Sequence, residues 1–193
     1  VLDAVRDTCS LTMGTVTFGD DVFMTPWPFV TELYRLTQER QIVPEFELFD
    51  LPYIFPNREA LYHVTQGDIG RALFRKLEAK GISGLAYWDN GFKVMSANKP
   101  LLAPQDFRGL RMRIQASKVL DVQMRTLGAQ PLALAFSETT PALRDGVVEG
   151  TENTPSNMFT QRMHESQKHL TVSNHGYLGY AVIVNKKFWD GLP

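Results

Sequence analysis

Gly109-Leu110-Arg111-Met112-Arg113-Ile114 alternates apolar and basic residues, the period-two pattern of a half-buried strand. Ser117 then caps a helix that Gly128 ends, and Leu132 to Ala135 reads as a second strand. The stretch 136–153, F-S-E-T-T-P-A-L-R-D-G-V-V-E-G-T-E-N, opens a helix at Ser137. Pro141 lies in its first turns, where proline is tolerated, and Gly146 closes it. Val147-Val148 reads as strand, leading to Asn153. Residues 170–177, L-T-V-S-N-H-G-Y, carry a further strand within His169 to Ser173. Strands that alternate with helices of about ten residues define an α/β class.

Outward from this block the pattern continues. Pro155 to Lys168 is expected to be mostly helix, and Tyr177 to Asn185 to be strand. Asn57 can cap a helix running through Gln66. Asp68 can cap the next, whose stripe is Ile69, Ala72, Leu73 and Leu77. Leu85 to Trp88 and Phe92 to Ala97 read as strands joined by an Asn90-Gly91 turn. Pro44 to Pro56 is a proline-punctuated apolar connection, and Leu11 to Phe18 alternates like a strand. Val1 to Arg6 reads as a helix already under way, and residues 187–193 as a helix about to start, so the chain is expected to be cut at both sides.

The 193 residues allow one large domain or two small lobes. A net charge of −1 provides no general field for nucleic acid or an anionic membrane, and nucleic acid is not an expected partner. The single cysteine, Cys9, leaves no internal disulfide and no multi-cysteine metal site. No nucleotide-binding glycine pattern and no metalloprotease histidine pattern occurs, so neither cofactor nor metal is expected.

Arg113 and Asn153 are the leading candidates for binding chemistry. A guanidinium offers a planar fork that matches a carboxylate, and an amide both donates and accepts. Strand ends are rigid mounts, and open α/β sheets bind ligands beyond the carboxyl ends of their strands. The plainer alternatives are a solvated face of Arg108, Arg111 and Arg113, and a simple turn at Asn153. Trp88 and Phe136 could wall a ligand or belong to the core, and Lys93 brings a cation near a turn. His175 is the one histidine near these residues, but no nucleophile accompanies it or the Glu149/Glu152 pair, so catalysis is not expected.

From Pro44 onward the chain resembles the DctP-type solute receptors of TRAP transporters. The resemblance rests on P-E-F-E-L-F-D-L-P-Y-I-F (44–55), A-K-G-I-S-G-L-A-Y-W-D-N-G-F-K (79–93) and P-Q-D-F-R-G-L-R-M-R-I (104–114). It continues through L-G-A-Q-P (127–131), the 136–153 and 170–177 blocks, and V-N-K-K-F-W-D-G-L-P (184–193). It implies a periplasmic-binding-protein-like α/β fold of two lobes closing over a ligand, incomplete in this chain. Residues 1–90 and 179–193 would form a partial first lobe and residues 91–178 the second. The resemblance implies that Arg113 salt-bridges a ligand carboxylate, Asn153 helps hold it, Phe136 packs on it and His175 supports the network. Lys93 stands where many members carry a second arginine, and keeps the charge without the fork. Residues 19–44 match the family poorly.

The resemblance implies a periplasmic receptor that binds a small organic acid and delivers it to membrane permease subunits. The alternative is a truncated receptor fragment persisting as a dimeric structural or interaction protein, a homodimer covering the apolar surface that missing segments would leave.

Overall fold

Two sheets organise the described residues. The computed structural model describes residues 14–17, by their backbone, and 43–193. The chain divides into two units, residues 1–46, 55–89 and 179–193 in one and residues 47–54 and 90–178 in the other. Cys9 and residues 19–42 lie outside the described residues.

The first unit contains β1 (Gly14–Thr17), α1 (Arg58–Thr65), α2 (Asp68–Glu78) and most of β2 (Ile82–Phe92). Most of β8 (Tyr177–Asn185) and α6 (Lys186–Asp190) also belong to it. The sheet order is β1-β8-β2, with Gly14 opposite Ile183 in an antiparallel pair. β8 is buried along its whole length, as expected of its nearly continuous apolar run. Asn57 caps α1 by accepting from the Ala60 amide at 2.9 Å. Asp68 does not cap α2; its carboxylate pairs with Arg71 at 2.8 Å, and Gly67 occupies the cap position. Leu73 and Leu77 bury the inner face of α2, while Ile69 is half exposed. Phe74 stacks on Tyr87 with centroids 4.2 Å apart. That ring lies over Gly84, where an added Cβ would come within 2.4 Å of it.

The second unit is built on a five-stranded sheet. Its strands are β3 (Val94–Ala97), β4 (Arg111–Ile114), β5 (Gln130–Ala133), β6 (Gly150–Asn153) and β7 (His169–Thr171). The order is β5-β4-β6-β3-β7. β4 runs parallel to both β5 and β6, and β3 runs antiparallel to β6 and β7. The helices are α3 (Lys118–Thr126), α4 (Phe136–Arg144) and α5 (Pro155–Thr160). One core cluster joins Met112 and Ile114 of β4 to Leu120 and Met124 of α3. The other joins Val94 to Ala142 and Leu143 of α4 and Met158 of α5. The chain leaves β4 for β5 on one side and returns to β6 on the other. The carboxyl ends of β4 and β6 therefore form the switch point at which such sheets bind ligands.

Several local expectations fail for non-local reasons. Asn90-Gly91 is no hairpin turn: β2 runs straight through it, Gly91 taking φ 135°, which glycine alone adopts readily. Asn90 Oδ1 accepts instead from Thr154 Oγ1 at 2.7 Å, so a tertiary partner replaces the turn's local bond. Val147-Val148 forms no strand; both amides bond back to the Ala142 carbonyl after Gly146, and β6 begins at Gly150. The helix expected over 155–168 stops at Thr160. Arg162 takes a left-handed conformation (φ 56°) before a 3-10 turn at Met163–Glu165. Residues 47–54, expected to go with residues 1–90, group with the second unit. Phe49 meets Tyr177 there, and the Tyr53 amide donates to the His175 carbonyl.

Candidate functional site

Arg113 on β4 lies opposite Thr151 on β6. Side chains in register share a face, and the face repeats every second residue. Arg113, Thr151 and Asn153 therefore project to one side, together with Val94, the partner of Asn153 on β3. That side is the one covered by α4 and α5.

Arg113 is fully buried, whereas Arg108 and Arg111 are exposed, so the three arginines do not form one solvated face. Its Nε and Nη2 both donate to the Leu134 carbonyl, at 3.0 and 2.7 Å. Leu134 follows directly on the end of β5, so this bond fixes the guanidinium at the carboxyl end of the sheet. Asn153 is also fully buried. Its Oδ1 accepts from the Thr154 amide at 2.8 Å and from Asn157 Nδ2 at 2.9 Å. Two donors identify that atom as oxygen and leave Nδ2 pointing elsewhere. Among the described residues, Nδ2 is buried with no hydrogen-bond partner. A fixed guanidinium and an unanswered amide donor at neighbouring strand ends are suited to an anionic oxygen ligand. Phe136 opens α4 and packs, half buried, against the cluster on that face.

Lys93 and His175 belong to a different arrangement. Lys93 Nζ contacts Gln115 Oε1 at 2.7 Å, Glu152 Oε1 at 3.2 Å and Asp50 Oδ1 at 3.5 Å. His175 Nε2 meets Glu152 Oε2 at 3.2 Å, and its Nδ1 meets Ser173 Oγ at 2.7 Å. All the charged members are buried. Burial strongly opposes ionisation of Glu152, yet Lys93 and the His175 hydrogen bond outweigh it and hold the carboxyl at about 2. Burial pushes Asp50 up to about 6, only partly offset by Lys93 and Ser117, with Glu152 adding repulsion. One ammonium serves two carboxylates and lies nearer Glu152, which explains the opposite directions.

Trp88 lies on β2 in the first unit and is 57% exposed, so it is not a core tryptophan. Glu149 bonds Arg111 near the surface while Glu152 is buried, so the two glutamates do not face each other as a catalytic pair. No group of three or more metal-ligating side chains occurs among the described residues. Gln115, Asp50, Asn157 and Thr154 were missed in the sequence. Gln115 carried a signal, lying two positions beyond Arg113 at the end of the same alternation. Asp50 carried a fainter one, as the lone acid between Phe49 and Leu51.

Residues 29–193 match the family described as bacterial extracellular solute-binding protein, family 7, or DctP. The C4-dicarboxylate-binding periplasmic protein DctP of Rhodobacter capsulatus is 70% identical over 151 residues, 78% of this chain and 45% of that protein. A TRAP periplasmic solute-binding protein from Sulfurospirillum deleyianum, solved with bound succinate, has 42% identity and a TM-score of 0.80. The match covers 93% of this chain and 53% of that one. A counterpart from Pseudomonas aeruginosa PAO1, solved with bound L-malate, has 36% identity and a TM-score of 0.83, covering 100% of this chain and 60% of that one. The chain thus spans about half the length of the curated relatives it matches. These relatives are solute-binding receptors rather than enzymes, and they lend no support to a dimeric structural fragment. The matching fold and the family match over residues 29–193 make this chain a member of the DctP family, family 7 of the bacterial extracellular solute-binding proteins.

Proposed function

We propose that this chain binds a C4-dicarboxylate, with Arg113 and Asn153 gripping one carboxylate, as part of a periplasmic receptor serving a TRAP membrane permease. The observation that carries this reading is the pairing of two fully buried groups at adjacent parallel strand ends. Arg113 is tethered to the Leu134 carbonyl, and Asn153 has its oxygen occupied and its nitrogen unanswered. The named activities of the relatives support the choice of dicarboxylate: C4-dicarboxylate binding for the 70%-identical protein, bound succinate and L-malate for the two structures. Phe136 supplies an apolar wall on the same face. Lys93 and His175 act behind the site, setting the charge and position of Glu152, the residue before Asn153. In this reading the first lobe comprises residues 1–90 and 179–193, with residues 47–54 attached to the second.

Calorimetric titration with succinate, L-malate and the monocarboxylate butyrate tests the reading. Saturable binding of a dicarboxylate, tighter than of butyrate, is expected. Absence of binding by any of the three on folded protein would overturn it.

A further inference from the structure

Gln115 remains without a task in the reading above, and its geometry supplies one. It follows Ile114 at the carboxyl end of β4 and is fully buried. Its Oε1 accepts from Lys93 Nζ at 2.7 Å. An ammonium can only donate, so this bond identifies the oxygen and turns Nε2 away from Lys93. Among the described residues, Nε2 is buried with no hydrogen-bond partner. The same ammonium touches Glu152, which puts Gln115 beside the residue that precedes Asn153. Two carboxamides at the carboxyl ends of neighbouring parallel strands thus share one design. Each has its oxygen held from behind by protein donors, and each has a buried nitrogen that no acceptor among the described residues meets.

We propose that Gln115 is a ligand-reading residue whose Nε2 donates to a carboxylate oxygen of the bound dicarboxylate, alongside Asn153 Nδ2. This rests on the receptor reading and extends it. A buried amide donor without an acceptor is costly, and a ligand oxygen removes that cost on binding. Such a donor also makes a site selective, because a ligand without the matching oxygen leaves it stranded. Lys93 acts through Gln115 as a positioning residue. Its charge at Oε1 fixes the amide and polarises the N–H toward the ligand. The neutral carboxamide adds a directed donor without adding a further charge.

Succinate titration of three proteins at about pH 8, where carboxyl groups are ionised, separates reading from anchoring. Gln115→Glu keeps an acceptor for Lys93 and replaces the donor with an anionic oxygen. It is expected to weaken succinate binding by about 100-fold or more. Gln115→Met keeps the size and loses the donor without adding charge, and a loss of about 10-fold is expected. If Gln115 only anchored Lys93, Gln115→Glu would bind succinate within about twofold of wild type, and that outcome overturns the proposal. Thermal melts establish that each variant is folded. Should either fail to fold, the assigned 15N side-chain amide resonance of Gln115 in wild-type protein decides. A shift on succinate addition supports the proposal, and an unmoved signal under saturation overturns it. A wild-type protein that binds no dicarboxylate overturns the receptor reading itself. Normal wild-type binding with insensitive Gln115 variants overturns only the role of Gln115.

Discussion

The two faces of the second unit's sheet bury charge in opposite ways. On one, Arg113 and Asn153 are held by backbone and amide groups, and the Asn153 amide nitrogen is left unanswered. On the other, Lys93, Glu152, His175 and Asp50 are joined by short contacts within the protein. The depth is alike. The difference teaches that burial alone does not mark a binding group; a fixed donor without a protein acceptor does. A closed ion network instead sets local structure, and breaking it strands a charge in a low-dielectric interior.

The contrast can be broken by substitution. Glu152→Ala removes the carboxylate shared by Lys93 and His175 and should destabilise the protein by about 3–5 kcal/mol, measured by urea unfolding. A loss below about 1 kcal/mol would show that the network is not a closed structural unit. Arg113→Ala should act mainly on binding, costing less stability than Glu152→Ala, about 1–3 kcal/mol, and about 2–5 kcal/mol of dicarboxylate binding by calorimetry. If it lowers stability as much as Glu152→Ala does, the two faces do not differ as described.

The pH dependence sharpens the comparison. Asp50, raised from 3.8 to about 6, is held more tightly as the neutral acid in the folded chain, so its contribution falls as pH rises between these values. Glu152, lowered from 4.5 to about 2, contributes above 4.5 and loses that contribution as pH falls toward 2. Stability should therefore decline on both sides of about pH 4–5 from these two groups, by on the order of 3 kcal/mol for the Asp50 limb. Asp50→Asn should flatten that limb and keep the acid one, as read from melting temperatures between about pH 3 and 8. An unchanged profile would remove Asp50 as its cause. The smallest effect is expected in the first unit. Asn57→Ala removes the α1 cap, should cost about 1 kcal/mol of stability, and should leave succinate affinity unaltered.

The parts legible in the sequence were those set by short-range rules. Alternation identified β4, the Ser117 and Asn57 caps bounded α3 and α1, and the nearly continuous apolar run of β8 matched its full burial. Local rules failed where a distant partner intervened. Asn90-Gly91 carries a strong turn signal, yet Thr154 takes the Asn90 oxygen and the strand runs through. Asp68 follows the cap rule, but Arg71 claims its carboxylate. In the site, Arg113 and Asn153 were legible because a strand end and a residue type suffice to nominate them. Gln115 was not, because its interest depends on Lys93 holding one end of its amide, and those residues lie 22 positions apart.

By itself the sequence determined the α/β class, the family resemblance and the nomination of Arg113 and Asn153 as a carboxylate clamp. Periodicity and residue chemistry are properties of neighbouring positions and survive without a fold. Only the tertiary structure decided that Arg113 alone of its three arginines is buried, that Lys93 is held by Glu152, Asp50 and Gln115, and that the Asn153 and Gln115 amide nitrogens meet no acceptor among the described residues. A buried polar group is defined by what surrounds it, and those surroundings come from strands and helices far apart in the chain.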